Sequence, residues 1–271
     1  MEIIKAIIFG IIEGITEWLP ISSTGHLILL NEFLKLDVSK EFYSMFEVVI
    51  QLGAIMAVVV LFWKKIFPFY KKNGELKISK NILSLWGKII VACVPAAIIG
   101  ILFDEVFEKL FYNPICVALA LIVFGILFIV VENKEHTTKI NSLEEITYNT
   151  ALLIGIFQLI AAIFPGTSRS GATIVGALMI GVSRTVAAEF TFFLAIPVMF
   201  GASLLKLLKF SFNFTGVELM VLLFGMLFAF LTSIFVIKFL MNYIKKHDFK
   251  IFGYYRIILG IIVLLYFGLT K

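Results

Sequence analysis

Six long stretches of nearly uninterrupted apolar residues set the pattern of this chain, and short polar or charged segments separate them. A transmembrane α-helix needs about 20 mostly apolar residues to cross the hydrocarbon core of a bilayer, and each stretch comes close to that length. The pattern therefore predicts six transmembrane helices, which cover residues 42–63, 82–103, 114–131, 186–208, 217–240 and 254–269.

Two further apolar stretches are interrupted. Residues 3–19 run into Pro20 and residues 151–164 run into Pro165, and a polar cluster and a second short apolar run follow each proline. Neither half is long enough to span a bilayer alone. Irregular backbone at membrane depth is tolerated only where it faces protein or a watery cavity, so these stretches predict two re-entrant helical hairpins.

Composition excludes a soluble fold. Of the 271 residues, 61% are hydrophobic and 15% are charged, whereas about a quarter of the residues in a soluble domain are charged. We expect one all-α, polytopic integral membrane domain, residues 1–271, surrounded by membrane lipids.

The net charge of +5 comes from lysines in particular loops, so no nucleic-acid partner is expected. Cys93 and Cys116 lie in apolar spans without metal-binding spacing and are expected to be small buried residues.

The loop charges predict the orientation in the membrane. Lysines concentrate in residues 64–80 and 238–250, and lysine-rich loops are usually cytoplasmic. The acidic connection at residues 104–109 is then on the outer side. Counting crossings from these anchors places both the N-terminal hairpin and the C-terminus outside, although Lys206 and Lys209 then fall on the outer side against the rule.

The chain contains an internal repeat. We interpret residues 1–131 and 150–271 as two copies of one unit, each with a re-entrant hairpin and three spans. Because each unit crosses the membrane an odd number of times, the copies have inverted topology, and their site is expected near the midplane where the hairpin tips meet. The aligned pairs are Gly10 with Gly155, Glu13 with Gln158, Pro20 with Pro165 and Ser23 with Ser168, followed after a three-residue slip by Glu47 with Glu189 and Leu52 with Leu194.

The first tip carries a pair of carboxylates. Glu13 and Glu17 are four residues apart and therefore lie on one face of a helix. Ionisable residues in an apolar segment are costly and indicate function, and two neighbouring carboxylates repel each other unless a cation or a proton lies between them. Oxygen ligands suit Mg²⁺ or Ca²⁺, so we predict a divalent cation at this pair.

Hydroxyls and a histidine follow the carboxylates. Ser22, Ser23 and Thr24 precede Gly25 and His26 at the start of the next helix. One hydroxyl would serve as a helix cap, but three in a row exceed what capping requires. His26 can act as an acid, a base or a nucleophile near neutral pH.

The second tip has the features of a phosphate site. Arg169 is one of three arginines in a chain with twenty lysines, and its guanidinium suits bidentate phosphate binding. Thr167, Ser168 and Ser170 add hydroxyl donors, and a helix that begins here directs its N–H groups at the tip. Together the two tips predict a site for a metal-bound phosphate.

At these residues the chain resembles the BacA (UppP) family of undecaprenyl pyrophosphate phosphatases. The resemblance rests on the ExxxE, SSTGH and PGTSRSG motifs, and it extends over essentially the whole chain through the FEVVIQLGAI and AEFTFFLAIP runs. It implies hydrolysis of undecaprenyl pyrophosphate to undecaprenyl phosphate for cell-wall synthesis, a divalent cation, a link to bacitracin resistance and a site that faces outward from the bacterial plasma membrane. The family's functional residues carry over to Glu13, Glu17, Ser23, His26, Ser168, Arg169 and Thr173.

Several alternatives stay open. The attacking group is Ser23 with His26 as its base, His26 itself, or water activated by the metal. Arg169 would neutralise charge on the transferred phosphoryl group in each case. A transporter of an anionic lipid is the rival function, because re-entrant inverted repeats are also a transporter architecture. A homodimer is one open assembly state.

Overall fold

The computed structural model describes residues 1–134 and 137–270 and shows a helical protein. Within those residues, six helical spans are long and apolar enough to cross a membrane, which confirms the predicted number. One of these spans, Lys40–Leu61, consists of α3 and α4 joined through Ile50. The helices are α1 (Glu2–Thr16), α2 (Ser23–Phe33), α3 (Lys40–Val49), α4 (Gln51–Leu61), α5 (Trp63–Ile66), α6 (Lys80–Phe111), α7 (Pro114–Asn133), α8 (Tyr148–Ile163), α9 (Arg169–Met179), α10 (Arg184–Lys209), α11 (Gly216–Tyr243) and α12 (Lys250–Thr270).

Helix α6 is longer than the span predicted at residues 82–103. It continues through residues 104–109, so the prediction of a connection there is wrong. No glycine or proline interrupts the helix at this point. The chain turns only at Asn113, whose side chain accepts a hydrogen bond from the Cys116 N–H at 2.9 Å and caps α7.

The lysine-rich segment after α4 contains the only two β-strands in the part of the chain that the structure describes. Strands β1 (Phe69–Lys72) and β2 (Glu75–Ile78) form an antiparallel hairpin, in which Lys72 pairs with Glu75. The turn residues Asn73 and Gly74 have φ values of 56° and 82°. An Asn-Gly pair is the common sequence for a two-residue turn with two positive φ angles. We predicted only a loop here, although the Asn-Gly signal is present in the sequence.

Helices α1 and α2 form a hairpin. At 15 residues, α1 is about 22 Å long, which is shorter than the bilayer core. The chain returns to its own start, because the Asp37 N–H donates to the Glu2 carboxylate at 2.8 Å and the Lys5 ammonium donates to the Lys35 carbonyl at 2.6 Å. The entry and the exit of this hairpin therefore lie side by side.

Helices α8 and α9 form a second hairpin. Its entry and exit are joined by backbone hydrogen bonds, from the Lys139 N–H to the Gly181 carbonyl at 2.8 Å and from the Ser183 N–H to the Ile140 carbonyl at 2.9 Å. Helix α10 begins at this junction. The other end of α10 reaches Phe210, whose ring lies 6.0 Å from that of Phe42 in α3, just beyond the exit of the first hairpin. The two hairpins therefore open at opposite ends of α10.

A serine with positive φ begins the second helix of each hairpin. Ser22 has a φ of 73° and Ser168 a φ of 67°. Each is the N-cap, and its hydroxyl accepts from the N–H of a glycine three residues later, Gly25 at 3.4 Å and Gly171 at 3.1 Å. This shared geometry pairs Ser22 with Ser168, whereas the sequence alignment paired Ser23 with Ser168. The second tip has one more residue between its proline and this serine, which accounts for the shift.

Packing between the two halves is reciprocal. Helix α1 packs against α11 and α8 packs against α6, while α7 and α12 pack against each other. Glycines allow these helices to approach closely: a Cβ atom on Gly125 of α7 would lie 2.7 Å from the Gly253 carbonyl oxygen of α12, and a Cβ atom on Gly253 would lie 2.7 Å from the Gly125 carbonyl oxygen. Added Cβ atoms on Gly10 and Gly155 would collide with the carbonyls of Gly225 and Ala92 respectively.

Candidate active site

The two hairpin tips are in direct contact. The Arg169 Nη2 atom, from the second tip, lies 3.0 Å from Oε1 of Glu17 in the first tip and forms an ion pair with it. The Ser170 hydroxyl donates to the Glu17 main-chain carbonyl at 3.1 Å. The structure therefore brings together the phosphate-binding candidates of one hairpin and the acidic candidates of the other.

Glu17 is the junction of the site. Its side chain is 6% exposed, and its second carboxylate oxygen accepts a hydrogen bond from the Ser23 hydroxyl at 2.9 Å. One carboxylate thus connects Arg169 to Ser23. Because α1 ends at Thr16 and α2 begins at Ser23, the intervening turn folds Glu17 back over the start of α2.

Glu13 lies one helical turn before Glu17 and is completely buried. Neither of its carboxylate oxygens has a hydrogen-bond partner among the described residues. Glu17 and Glu47 are near enough for their negative charges to repel that of Glu13. A buried carboxylate without donors is unstable as an anion unless a cation or a proton compensates it.

These residues fit a magnesium-type divalent cation. No group of three or more His, Cys, Asp or Glu side chains suited to a metal occurs in the described part of the chain. Mg²⁺ typically binds one or two carboxylates and takes its other ligands from water and substrate phosphates. Glu13, with two free oxygens, and Glu17, with lone pairs left beside Arg169 and Ser23, provide that donor set.

Arg169 is held in place by its own helix and by α10. Its Nη1 atom donates to the Thr191 carbonyl at 3.0 Å, and its Nε atom is buried with no partner among the described residues. The Thr173 hydroxyl lies 2.9 Å from the Arg169 carbonyl and 2.9 Å from the Thr191 hydroxyl. Thr173 was predicted to bind substrate, and in this structure its hydrogen bonds are to protein groups around Arg169.

The other predicted hydroxyls differ in their surroundings. The Ser168 and Ser170 hydroxyls are 3.1 Å apart. The Thr167 hydroxyl is buried and has no partner among the described residues. Ser22 is 1% exposed and caps α2, whereas Thr24 is half-buried in the first turn of that helix. All of these side chains lie at the two tips.

His26 is fixed by two hydrogen bonds. Its Nδ1 atom lies 2.7 Å from the Ser22 carbonyl, which can only accept, so Nδ1 carries a proton. Its Nε2 atom lies 2.7 Å from the Tyr255 hydroxyl, and the two rings are stacked with an interplanar angle of 4°. The Ser23 hydroxyl donates to Glu17 instead of His26. The dyad of Ser23 and His26 that one mechanism requires is therefore not formed here.

Arg256 is a site component that we did not predict. It belongs to α12, is completely buried, and its guanidinium donates to both tips, at 3.2 Å to the Pro20 carbonyl, 3.0 Å to Gly166 and 2.7 Å to Thr167. In α7, the Leu121 carbonyl accepts from Nε at 3.4 Å and the Ala120 carbonyl accepts from Nη2 at 3.5 Å. Arg256 thus fastens the two tips together. Its signal in the sequence is an arginine inside an apolar span, which indicates function by the same reasoning that applies to Glu13.

Comparison with known proteins agrees with this geometry. Residues 6–262 match the family model described as bacitracin resistance protein BacA. The chain is 68% identical to the undecaprenyl-diphosphatase of Desulfitobacterium hafniense, over 99% of this chain and 97% of that protein. It is 64% identical to undecaprenyl-diphosphatase 1 of Clostridium acetobutylicum, over 98% of both chains. It is 61% identical to an undecaprenyl-diphosphatase of Enterococcus faecalis, over 98% of this chain and 97% of that protein.

Proposed function

Because this chain belongs to the family of the bacitracin resistance protein BacA, we propose that it hydrolyses undecaprenyl pyrophosphate to undecaprenyl phosphate and inorganic phosphate. The observation that carries the proposal is the junction at Glu17, which joins Arg169 of one tip to Ser23 of the other. The names of relatives that are 61% to 68% identical over nearly their full length support the same reaction.

The tips supply the groups that phosphoryl transfer needs. Catalysis of this reaction depends mainly on positioning and on neutralising charge at the equatorial oxygens of the transferred group. Arg169 provides a fixed cation whose Nε is not engaged by the described residues. Ser168, Ser170 and Thr167 offer hydroxyls around it. When bound at Glu13 and Glu17, a divalent cation would neutralise further charge on the pyrophosphate.

The hydrogen bonds favour Ser23 as the attacking group. Its hydroxyl donates to Glu17, which can take the proton as the Ser23 oxygen attacks the terminal phosphorus. The bond from that phosphorus to the bridging oxygen then breaks, and undecaprenyl phosphate leaves. Hydrolysis of the resulting phosphoserine releases inorganic phosphate. His26 is less suited to attack, because both of its ring nitrogens are already hydrogen-bonded.

We also propose the placement of the site in the cell. The protein is a multi-pass protein of the bacterial plasma membrane, and its two halves are inverted repeats whose tips meet near the midplane. The opening of the hairpins at opposite ends of α10 and the reciprocal packing of the halves support this arrangement. The end of the bundle that carries the lysine-rich segments 64–80 and 238–250, here called the lysine-rich end, is cytoplasmic. The first hairpin and the catalytic cleft therefore open outward. The homodimer stays a prediction, which cross-linking in native membranes measures.

Phosphate release by the purified protein tests the reaction. We expect the wild type to release phosphate from undecaprenyl pyrophosphate. Glu17→Gln should lower kcat/KM at least about tenfold, because the carboxylate that joins Arg169 to Ser23 loses its negative charge. Glu75→Gln, in the exposed hairpin outside the site, is the matched control and should retain full activity. A folded wild type that binds this lipid without releasing phosphate would overturn the proposal and favour the transporter.

A further inference from the structure

A polar cavity lies at the lysine-rich end of the bundle, away from the hairpin tips. Its volume is about 560 Å³. Eleven of its fifteen lining residues are polar or charged, in a chain that is 61% hydrophobic. Its walls come from α5, from the first turns of α6 and α10, and from the segment that precedes α8.

Lys88 gives the cavity a buried cation that forms no ion pair with the described residues, although the Glu144 carboxylate in the same lining attracts it from a greater distance. Its side chain belongs to α6 and is only 8% exposed. Its ammonium donates to the Glu144 carbonyl at 3.1 Å. An ammonium has three donors and is costly to bury unpaired. By contrast, Lys65 on the same wall is neutralised by both carboxylate oxygens of Glu189, at 2.7 Å and 2.8 Å.

The helix geometry and the neighbouring donors add positive potential. Ser79 and Ser84 bracket the first turn of α6, and Thr185 lies in the first turn of α10, so the amino ends of two long helices border the cavity. The free N–H groups at such ends carry partial positive charge and favour anions. Ser79, Ser84 and Thr185 provide hydroxyls at the same wall, and Ser142 provides another on the opposite side.

The cavity is distinct from the candidate active site. None of its lining residues belongs to a hairpin tip. A continuous series of aromatic contacts connects the two: the Lys65 ammonium lies 5.9 Å from the ring centre of Phe62, Phe62 lies 6.2 Å from Phe192, and Phe192 lies 5.2 Å from Trp18, the neighbour of Glu17. The rings of Phe62 and Phe192 thus lie between Lys65 and Trp18.

We propose that this cavity is a second anion site, which binds a phosphate group. A tetrahedral phosphate offers several acceptor oxygens, which match one unpaired ammonium, several hydroxyls and two helix amino ends. Free inorganic phosphate and the phosphomonoester headgroup of a lipid share this chemistry. The proposal is independent of the reaction at the tips, because no residue of the tips takes part.

Equilibrium dialysis of the purified protein against radiolabelled inorganic phosphate tests the free anion. We expect two phosphates per chain, one lost in Arg169→Lys and the other weakened at least about tenfold in Lys88→Met. Lys77→Met, on the exposed strand β2 outside the cavity, is the matched control and should bind as the wild type does. Lys88→Gln repeats the measurement with a polar side chain, should Lys88→Met fail to fold.

Reconstitution in phosphatidylcholine nanodiscs with and without phosphatidic acid tests the lipid headgroup. Retention of phosphatidic acid, measured by native mass spectrometry, should fall in Lys88→Met and not in Lys77→Met if the ligand is a lipid. Weaker binding by the Lys88 variants in either measurement supports the site. The measurement in which binding falls tells whether the ligand is free phosphate or a lipid headgroup. If both Lys88 variants match the wild type in both measurements, the proposal is wrong, whatever happens at Arg169.

Discussion

At the scale of single residues, the guanidinium of Arg169 donates hydrogen bonds from more than one of its nitrogen atoms. It contacts the Glu17 carboxylate and the Thr191 carbonyl at the same time, and its Nε remains buried and unengaged by described residues. An ammonium has no planar set of donors and cannot reproduce these contacts together. The shape of the cation therefore matters here as well as its charge.

Substitution of Arg169 by lysine should therefore impair the reaction. We expect Arg169→Lys to lower kcat/KM for undecaprenyl pyrophosphate at least about tenfold, or about 1.4 kcal/mol. Arg184→Lys is the matched control, because Arg184 begins α10, beyond the end of α9 that is opposite the tip, and pairs there with Glu132. If Arg169→Lys and Arg184→Lys have equal kcat/KM and equal thermal stability, the role proposed for Arg169 is wrong.

The unpaired carboxylate of Glu13 leads to a prediction about metal. Excess chelator should abolish phosphate release, and added Mg²⁺ or Ca²⁺ should restore it. Glu13→Gln removes the charge but keeps the shape, so this variant should need a higher metal concentration for half-maximal activity. If the dialysed protein keeps its full kcat in excess chelator, the reaction does not need a divalent cation and this part of the proposal is wrong.

The hydrogen bonds of Ser23 and His26 give different expectations for the two residues. Ser23→Ala removes the proposed nucleophile and should reduce kcat by at least about 100-fold. Tyr255→Phe removes one partner of His26, but leaves Ser23 and Glu17 untouched, and should change kcat less than tenfold. Acid-labile phosphate trapped on the His26 ring during turnover, instead of acid-stable phosphate on Ser23, would show that His26 attacks.

At the scale of helices, the close approach of α8 and α6 depends on one glycine. A Cβ atom on Gly155 would collide with the Ala92 carbonyl, which cannot move without shifting α6. Gly155→Val should therefore destabilise the protein by about 1–3 kcal/mol or more, since overpacking costs about that much. Gly100→Val, also on α6 but with open space around its Cβ position, should leave the melting temperature in detergent nearly unchanged.

The helices also show what the sequence predicts and what it leaves out. Hydropathy and proline positions predict the six spans and the two interrupted stretches, because both depend on local composition and length. The end of α6 at Phe111 is missed, because charged residues do not themselves end a helix. The pairing of Ser22 with Ser168 is missed by one residue, because it depends on backbone angles that an alignment does not contain.

The candidate site is predicted less completely than the spans. The motifs identify Glu17, Ser23 and Arg169, which the structure places together. They do not reveal that Ser23 donates to Glu17 and that His26 bonds to Tyr255, because these contacts are set by how α2 packs against α12 and by the fold of the first tip. Arg256 is absent from the prediction for the same reason, since its acceptors come from three separate parts of the chain.

At the scale of the whole molecule, the proposed orientation, which rests on the lysine-rich loops, predicts which end of the bundle faces the medium. Single cysteines at Asp37, which is exposed, and at Lys77, whose side chain is 42% exposed, suit this measurement when Cys93 and Cys116 are replaced by alanine. Ser22 is unsuitable, because it is 1% exposed. A membrane-impermeant thiol reagent on intact spheroplasts should label position 37 and not position 77. The opposite pattern would reverse the proposed orientation.

The contacts of Arg256 have a consequence for biogenesis. Synthesis proceeds from the N-terminus, so both hairpins are made before α12, which carries the guanidinium that joins the Pro20 and Thr167 carbonyls. Until α12 packs against α7, neither tip has this shared donor. We therefore expect a chain that ends before α12 to insert into the membrane without phosphatase activity, and addition of the final helix to be the step that makes the protein active.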